Sequence, residues 1–431
     1  MKLSWNDGWF FCETFSEELL IEDIHTPDMK AVRLPHSVTE TPFNYFSEQT
    51  YQKVSGYKKS FHAPLEWQDK LIRCHFDGVG HEATVFINGA SIFTHTGGYT
   101  AFSVELNKHL VYGKQNELVL KVDSRETLNC PPFGYVIDYM TYGGIYRDVF
   151  LEVLNASSIE DVFYYTTNLL NTDRTLHVQT TLSLSAMNHL NLYKLRFELV
   201  DKQGQAVLQR DMEALSLERN KMGEDESLIV KIALPEVILW DLSTPYVYQL
   251  KVSLTDMSSQ DKTTTLCDEK HISCGFREAF FDARGFWLNG QLVKLRGLNR
   301  HQSYPYVGYA MPKRPQVLDA HIMKHELHLN AVRTAHYPQS KHFIEACDQL
   351  GLLVFTEIPG WQHIGDQTWQ DRALTQVEEM VTQYRNHPSI VLWGVRINES
   401  ADHHPFYEKT NACARRLDPS RQTGGARHQS R

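Results

Sequence analysis

Polarity changes abruptly late in the chain, where the nearly continuous apolar run Ile390 to Ile397 gives way to Asn398 and Glu399. Such a run is the pattern of a strand covered on both faces, as in parallel sheets, and His387-Pro388-Ser389 before it stops a preceding helix. A carboxylate where a buried parallel strand meets its loop stands at the C-terminal mouth of an α/β sheet or barrel, where such folds keep their chemistry. The chemistry open to Glu399 is proton donation and abstraction, the work of a general acid/base. Asn398-Glu399-Ser400 also suits an ordinary helix cap, and the three residues alone do not separate the readings.

Three upstream strand patterns end the same way. Lys294 to Leu298 runs into Asn299-Arg300-His301, Asn330 to Ala335 into His336-Tyr337-Pro338, and Leu352 to Phe355 into Thr356-Glu357-Ile358-Pro359. Helical patterns alternate with them. Arg314 to His328 places Leu318, Ile322, Met323 and Leu327 at the spacing of a buried stripe, and Lys341 to Leu350 is closed by Gly351. Asp371 to Arg385 buries Val377, Met380, Val381 and Tyr384, and a last helix, Pro405 to Leu417, completes a fourth βα unit together with Asp418 to Arg421. Four such units form either an open doubly wound sheet or part of a (β/α)8 barrel. Polar groups at all four strand ends favour the barrel, because a doubly wound sheet concentrates its site at one switch point. Glycine-rich phosphate loops are absent from the sequence, which disfavours a nucleotide fold.

The first part of the chain has a different grammar. From Trp5 to Leu154 short alternating runs are separated by turn residues, the pattern of a β-sandwich. Thr84 to Ile87, Asn88-Gly89 and Ala90 to Phe93 form a hairpin whose Asn-Gly supplies a type I′ turn, and Leu118 to Val122 and Val149 to Val153 are further strands. Residues 155–273 continue all-β, with strands at Leu176 to Leu182, Leu195 to Val200 and Tyr248 to Leu254, in a length that fits one immunoglobulin-like sandwich. The charged stretch Glu218 to Glu226 reads as a solvated turn. A second Asn-Gly hairpin, around Asn289-Gly290, leads into the βα units.

With 431 residues the chain exceeds one core. The balance of 43 basic against 52 acidic residues, without a Lys/Arg-rich run, speaks against a nucleic-acid or membrane-surface partner and for a neutral or weakly charged substrate. The start lacks a basic region followed by a sustained apolar core, and no later segment approaches roughly 18 apolar residues, so a cytoplasmic protein is expected. Seven scattered cysteines without a Cys-x-x-Cys pair fit reduced thiols and indicate neither disulfides nor zinc.

Read in order, these pieces resemble glycoside hydrolase family 2, the β-galactosidase and β-glucuronidase family. Phe76-Asp77-Gly78-Val79, Gly97 to Phe102 and Gly143-Gly144-Ile145-Tyr146-Arg147-Asp148-Val149 are similar to its jelly-roll sugar-binding domain, and Leu239 to Tyr246 to a loop of its second domain. Leu295 to His301, Asn330 to Pro338, Glu357-Ile358-Pro359 and Asn386 to Ile390 through Asn398-Glu399 resemble its successive barrel-strand motifs. The resemblance implies a multidomain β plus α/β fold: a jelly-roll sandwich over 1–154, an immunoglobulin-like sandwich over 155–273, and the first half of a (β/α)8 TIM barrel, about four βα units, over 274–431. It further implies a retaining exo-β-glycosidase acting on terminal β-linked sugars, with β-galactosidase ahead of β-glucuronidase.

By matching position, Glu399 would be the acid/base, Asn398, His301 and His336 would hold the sugar, Arg333 would lie beside the nucleophile, and Asp138 would reach in from the jelly roll to a sugar hydroxyl. Each has a plainer alternative. His301 and His336 also suit core imidazoles, Asp138 a turn residue, and Arg333 with Glu357 a structural ion pair. Trp361 suits either a stacking platform or simple packing. Some family members bind a divalent metal after the third strand, but here that stretch reads Gly360-Trp361-Gln362-His363, so neither a metal nor another cofactor is expected. The family's nucleophile, a glutamate on a later strand, has no counterpart up to Arg431, and a full barrel takes roughly 250 residues. The expectation is therefore a chain with one of two catalytic carboxylates, inactive by itself. A non-catalytic carbohydrate-binding remnant is the competing class, the residues that recognise a glucuronate are expected beyond Arg431, and homo-oligomerisation is left open.

Overall fold

Positive backbone angles at Asn88 (49°) and Gly89 (81°), and at Asn289 (50°) and Gly290 (76°), close the two hairpins that the Asn-Gly pairs predict. They sit in a computed structural model that describes residues 1–21, 28–44, 47–222, 225–258 and 264–425. The first sandwich stacks a four-stranded sheet, in the order Lys2–Ser4, Val149–Asn155, Lys70–Phe76, Phe102–Glu105, on a six-stranded one. Its core holds Trp9, Tyr57, Val85, Leu120 and Leu151, and continues without a break into Tyr309 and Tyr337 of the barrel loops. The second sandwich pairs two four-stranded sheets around Leu195, Phe197, Leu250 and Val252. In the charged stretch Glu218–Met222 pairs antiparallel with Asp225–Ala233, and Gly223 and Glu224 lie outside the described residues.

The C-terminal part is a parallel sheet of five strands in sequence order: β1 (Gly297–Asn299), β2 (Ala331–Thr334), β3 (Leu353–Glu357), β4 (Ile390–Gly394) and β5 (Gln422–Gly424). Helices α1 (Lys313–His321), α2 (Lys341–Leu350), α3 (Gln367–Tyr384) and α4 (His404–Leu417) connect them. Ser340 and Asp366 cap α2 and α3 by accepting backbone N–H bonds, and Gly351 ends α2 in the left-handed region at φ 68°. β5 goes beyond the four units read from the sequence. Residues 426–431 lie outside the described residues.

The buried stripe on the first helix is found only in part: Ile322 and Met323 are half-buried, Met323 against the helix-side core. Leu318 and Leu327 are exposed at 55% and 51%, while Gln316 and Ala320 face inward, and a π turn over Ile322–Glu326 ends the regular helix early. The reason is electrostatic: Arg300, 4% exposed beneath the helix, draws Gln316 Oε1 to 2.8 Å and Asp319 Oδ2 to 2.6 Å of its Nη2. A buried guanidinium must be paired, and this requirement outweighs the hydrophobic pattern.

The sheet's floor is sealed from the second sandwich. Trp240, fully buried, packs with Phe286 and Leu288 of the hairpin and with Leu353 and Val391 of β3 and β4, and donates Nε1–H to the Asp348 carbonyl at 2.8 Å. Arg277 donates to the Pro388 and Ile390 carbonyls at 2.7 and 2.5 Å. On its inner face the sheet is open, a groove of about 440 Å³ lined by Ala331, Arg333, Phe355 and Leu392. No helix among the described residues is long and apolar enough to cross a membrane. Trp240→Ala removes a side chain shared by three units and is expected to cost about 3–5 kcal/mol, read as a lowered urea midpoint of the chain's α/β transition.

Candidate active site

Glu357, the last residue of β3, is 1% exposed, and a carboxylate so deeply buried needs partners for both oxygens. It finds them on β2 and its loop: Arg333 Nη2 lies 2.9 Å from Oε1 and 3.0 Å from Oε2, and His336 Nδ1 is 2.8 Å from Oε1. The ion-pair alternative for Arg333 and Glu357 is therefore realised. Arg333 also donates to Asn398 Oδ1 at 2.6 Å, so one guanidinium ties the ends of β2, β3 and β4 together. The geometry requires Gly394, opposite Glu357 in the β3–β4 register, because a Cβ there would fall 2.3 Å from the Glu357 Cβ.

Glu399 follows Asn398 in the left-handed region, φ 52°, and is half-buried. Gln362 holds it twice over: its Nε2 donates to Glu399 Oε2 at 3.2 Å, and its backbone N–H to the Asn398 carbonyl at 2.8 Å. With Oδ1 engaged by Arg333, the Asn398 amide presents its NH2 as the remaining donor. Trp361 is half-buried, its ring centroid 5.2 Å from that of His336.

His301 and His336 come together, their rings 5.6 Å apart in an edge arrangement. His336 is 7% exposed, whereas His301 is open to solvent with its Nδ1 edge on the Tyr337 hydroxyl at 3.1 Å. Burial of that inner edge, then His336 and Arg333, lowers the His301 pKa against the opposing pull of Glu357. The first sandwich reaches this mouth through Tyr139, whose ring lies 5.5 Å from His301 and 5.9 Å from His336. Asp138 beside it is exposed at the rim; burial raises its pKa, as does Glu399, while His336 lowers it, which puts it within electrostatic range of both.

The structure thus gathers Glu399, Asn398, Arg333, His336 and His301 at one strand-end mouth, with Asp138 at its edge. Tyr139 and Gln362 were not singled out by sequence reasoning. Tyr139 had the signal of adjacency to Asp138, and Gln362 stood in the stretch considered only for metal ligands. A cavity of about 740 Å³ also exists, between α1, α2 and the edge of the second sandwich, and none of these strand-end residues lines it.

Glu357→Gln leaves the Arg333 charge without its counter-ion and is expected to cost about 3–5 kcal/mol in denaturant unfolding. His301 carries the opposite pH signature to a paired histidine. Its lowered folded pKa means stability that is present above the ordinary value of about 6.5 and is lost as pH falls toward the lowered one. His301→Gln is expected to reduce the drop in melting temperature between about pH 7 and about pH 5.

Models for three parts of one family match in succession: the sugar binding domain of glycosyl hydrolases family 2 over residues 25–154, glycosyl hydrolases family 2 over 157–277, and the family 2 TIM barrel domain over 281–424. The chain is 43% identical to a beta-galactosidase of Thermoanaerobacterium thermosulfurigenes, covering 98% of this chain and 57% of that protein. It is 30% identical to a beta-glucuronidase of Bacteroides fragilis, covering 98% and 60%. A solved beta-glucuronidase of Bacteroides uniformis superposes with a TM-score of 0.84 at 26% identity, over 98% of this chain and 52% of that one. The chain spans a little over half the length of these relatives. Three stretches matched end to end by one family's models, on the fold those models describe, establish that the chain belongs to glycoside hydrolase family 2.

Proposed function

We propose that this chain carries the acid/base side of a retaining hydrolase acting on terminal β-linked sugars, with a β-galactoside as substrate. The observation that supports it most is the Glu399 carboxyl, half-buried at the mouth and steadied by Gln362, beside an Asn398 amide whose NH2 is free for a sugar hydroxyl. In this reading Glu399 protonates the departing glycosidic oxygen and later deprotonates the attacking water. Asn398 donates to the 2-hydroxyl, a bond that strengthens as positive charge develops on the sugar ring. His301 and His336 hold further hydroxyls, Asp138 takes one at the rim, and Arg333 acts by orienting Asn398.

Retention needs a second carboxylate about 5–5.5 Å from the first, to attack the anomeric carbon. Glu357 does not suit that role, since Arg333 and His336 occupy its oxygens. The chain as given is therefore proposed to bind sugar without turning it over. Galactoside is preferred over glucuronide on two grounds. The relatives at 43% and 39% identity are both named beta-galactosidases. Arg333, the arginine within this mouth among the described residues, has its charge balanced by Glu357 at 2.9 Å, which weakens its pull on a sugar carboxylate. The division into 1–154, 155–273 and 274–431 is part of the same proposal.

Titrated into the purified chain and followed by saturation-transfer NMR, methyl β-galactoside is expected to bind with a Kd of about 1 mM, worth about −4 kcal/mol, and methyl β-glucuronide more weakly. His336→Ala and Asn398→Ala are each expected to weaken binding at least tenfold, about 1.4 kcal/mol. Binding indifferent to both substitutions would overturn the site, and a preference for glucuronide would overturn the substrate. Hydrolysis of an aryl β-galactoside that Glu399→Gln abolishes would keep the acid/base role and overturn the inactivity.

A further inference from the structure

The two imidazoles at the mouth are anchored by chemically different partners. His336 Nδ1 lies 2.8 Å from the Glu357 carboxylate and 3.2 Å from Arg333 Nη2. The two protons on that Nη2 are directed to Asn398 Oδ1 at 2.6 Å and to Glu357 at 2.9–3.0 Å, so this nitrogen has none left for the imidazole. A carboxylate only accepts, and it therefore holds a proton on His336 Nδ1 and turns a bare Nε2 away from itself.

His301 Nδ1 meets a hydroxyl instead, Tyr337 Oη at 3.1 Å. The backbone N–H of Gln302 faces that oxygen and lowers the Tyr337 pKa against the larger, raising effect of burial. The neighbouring Tyr309 hydroxyl directs its own proton to the Met140 carbonyl at 2.6 Å. Two acceptors lie within hydrogen-bond reach of the Tyr337 O–H, His301 Nδ1 at 3.1 Å and the Tyr309 hydroxyl oxygen, and the Gln302 N–H on the other side leaves the Tyr337 proton to one of these two. The tyrosine itself has no room to turn. Its ring stacks on Tyr99 of the first sandwich, centroids 4.4 Å apart and planes at 18°, and packs on Tyr139 and Tyr309 at 5.3 Å each. Arg147, 5% exposed, clamps the flanking backbone from the same sandwich, donating to the Pro338 carbonyl at 2.7 Å, to Gln302 Oε1 at 3.2 Å and to the Tyr99 carbonyl at 2.9 Å.

We propose that Tyr337 is a positioning residue that fixes the proton of His301 on Nε2, so that His301 and His336 meet a ligand in opposite tautomers, one as donor and the other as acceptor. This deepens the sugar-site reading and rests on it for the ligand's identity. A hydroxyl both donates and accepts, so one sugar O–H, or two on adjacent carbons, satisfies the pair, whereas a group that only accepts satisfies one ring and meets the lone pair of the other. The lowered pKa of His301 agrees, because an imidazole kept neutral is one in which a tautomer is defined. The charged and titratable groups facing it are His336, Arg333, Glu357, Tyr139 and Tyr337.

The test is a two-bond proton–nitrogen correlation spectrum of the full chain labelled with 15N-histidine at about pH 7.5, with His301 and His336 assigned by their loss in His301→Gln and His336→Gln. The expected result is an Nε2–H pattern for His301 and an Nδ1–H pattern for His336. Tyr337→Phe keeps the ring stack, and is expected to convert His301 to an averaged mixture of tautomers while the His336 pattern is retained; the melting temperature falls, because the buried Gln302 N–H loses its acceptor. An Nδ1–H pattern for His301 in the unmodified chain, or a His301 pattern indifferent to Tyr337→Phe, overturns the proposal. The unmodified chain decides the first of these even if the variant does not fold. Methyl β-galactoside added to the same sample separates the two readings: it is expected to shift both rings, and rings unmoved by it with both tautomers as assigned would contradict the sugar site while leaving the role of Tyr337 intact.

Discussion

The mouth depends on one buried negative charge. Glu357 is almost without solvent, and removing a carboxylate from water costs several kcal/mol unless it is paired and hydrogen-bonded. Two oxygens and few neighbours leave little choice of partner. Arg333 must extend across the sheet to it, His336 must turn Nδ1 toward it, and Gly394 must remain free of a side chain for β3 and β4 to approach. Because the same guanidinium reaches Asn398, the position of the residue preceding Glu399 is set from β2 and β3 as well as from its own strand. An ion pair of this kind is weak evidence for stability, and its consequence here is geometric: three strand ends share one register.

The first sandwich takes part in the mouth as well as standing beside it. Its hydrophobic core contains Tyr309 and Tyr337, residues of the loops after β1 and β2, and no layer of solvent separates the two units there. Further out, His95 and Thr100 grip Glu379 of α3 at 2.9 and 2.5 Å, and Trp369 donates to the Phe133 carbonyl at 2.9 Å. A loop that carries histidines would ordinarily be mobile. Here the loop after β2 is packed from behind by aromatic rings and by the Arg147 guanidinium, which restricts the imidazoles it carries and the loop of Tyr139 that faces them.

What could be read from the chain in advance follows from how local each signal is. The Asn-Gly hairpins, α2 with its glycine stop, and the four apolar runs ending in His301, His336, Glu357 and Asn398-Glu399 are decided by neighbouring residues, and the fold has them. The predicted stripe on the first helix holds at Ile322 and Met323 but not at Leu318, because Gln316 and Asp319 answer a charge, Arg300, from outside the helix, and no periodicity encodes that demand. β5 is three residues long and too polar to announce itself, being a strand through its pairing with β4. Tyr139, Gln362 and Tyr337 acquire their roles only where two units meet, which a single sequence does not display. Asp138, assigned by the resemblance alone, lies at the rim, exposed and within electrostatic range of Glu399.

The claim on which the account rests is that these strand ends form one ligand-facing mouth with Glu399 at its edge. A crystal structure of the chain soaked with a galactose-shaped iminosugar, whose ring nitrogen mimics the charge that develops at the reacting carbon, addresses it directly. The account predicts the ring seated between His301 and His336, with the Asn398 amide and the Glu399 carboxyl within hydrogen-bond distance of it. Density for the ligand in the cavity between α1, α2 and the second sandwich, with the strand-end mouth holding only water, would contradict it.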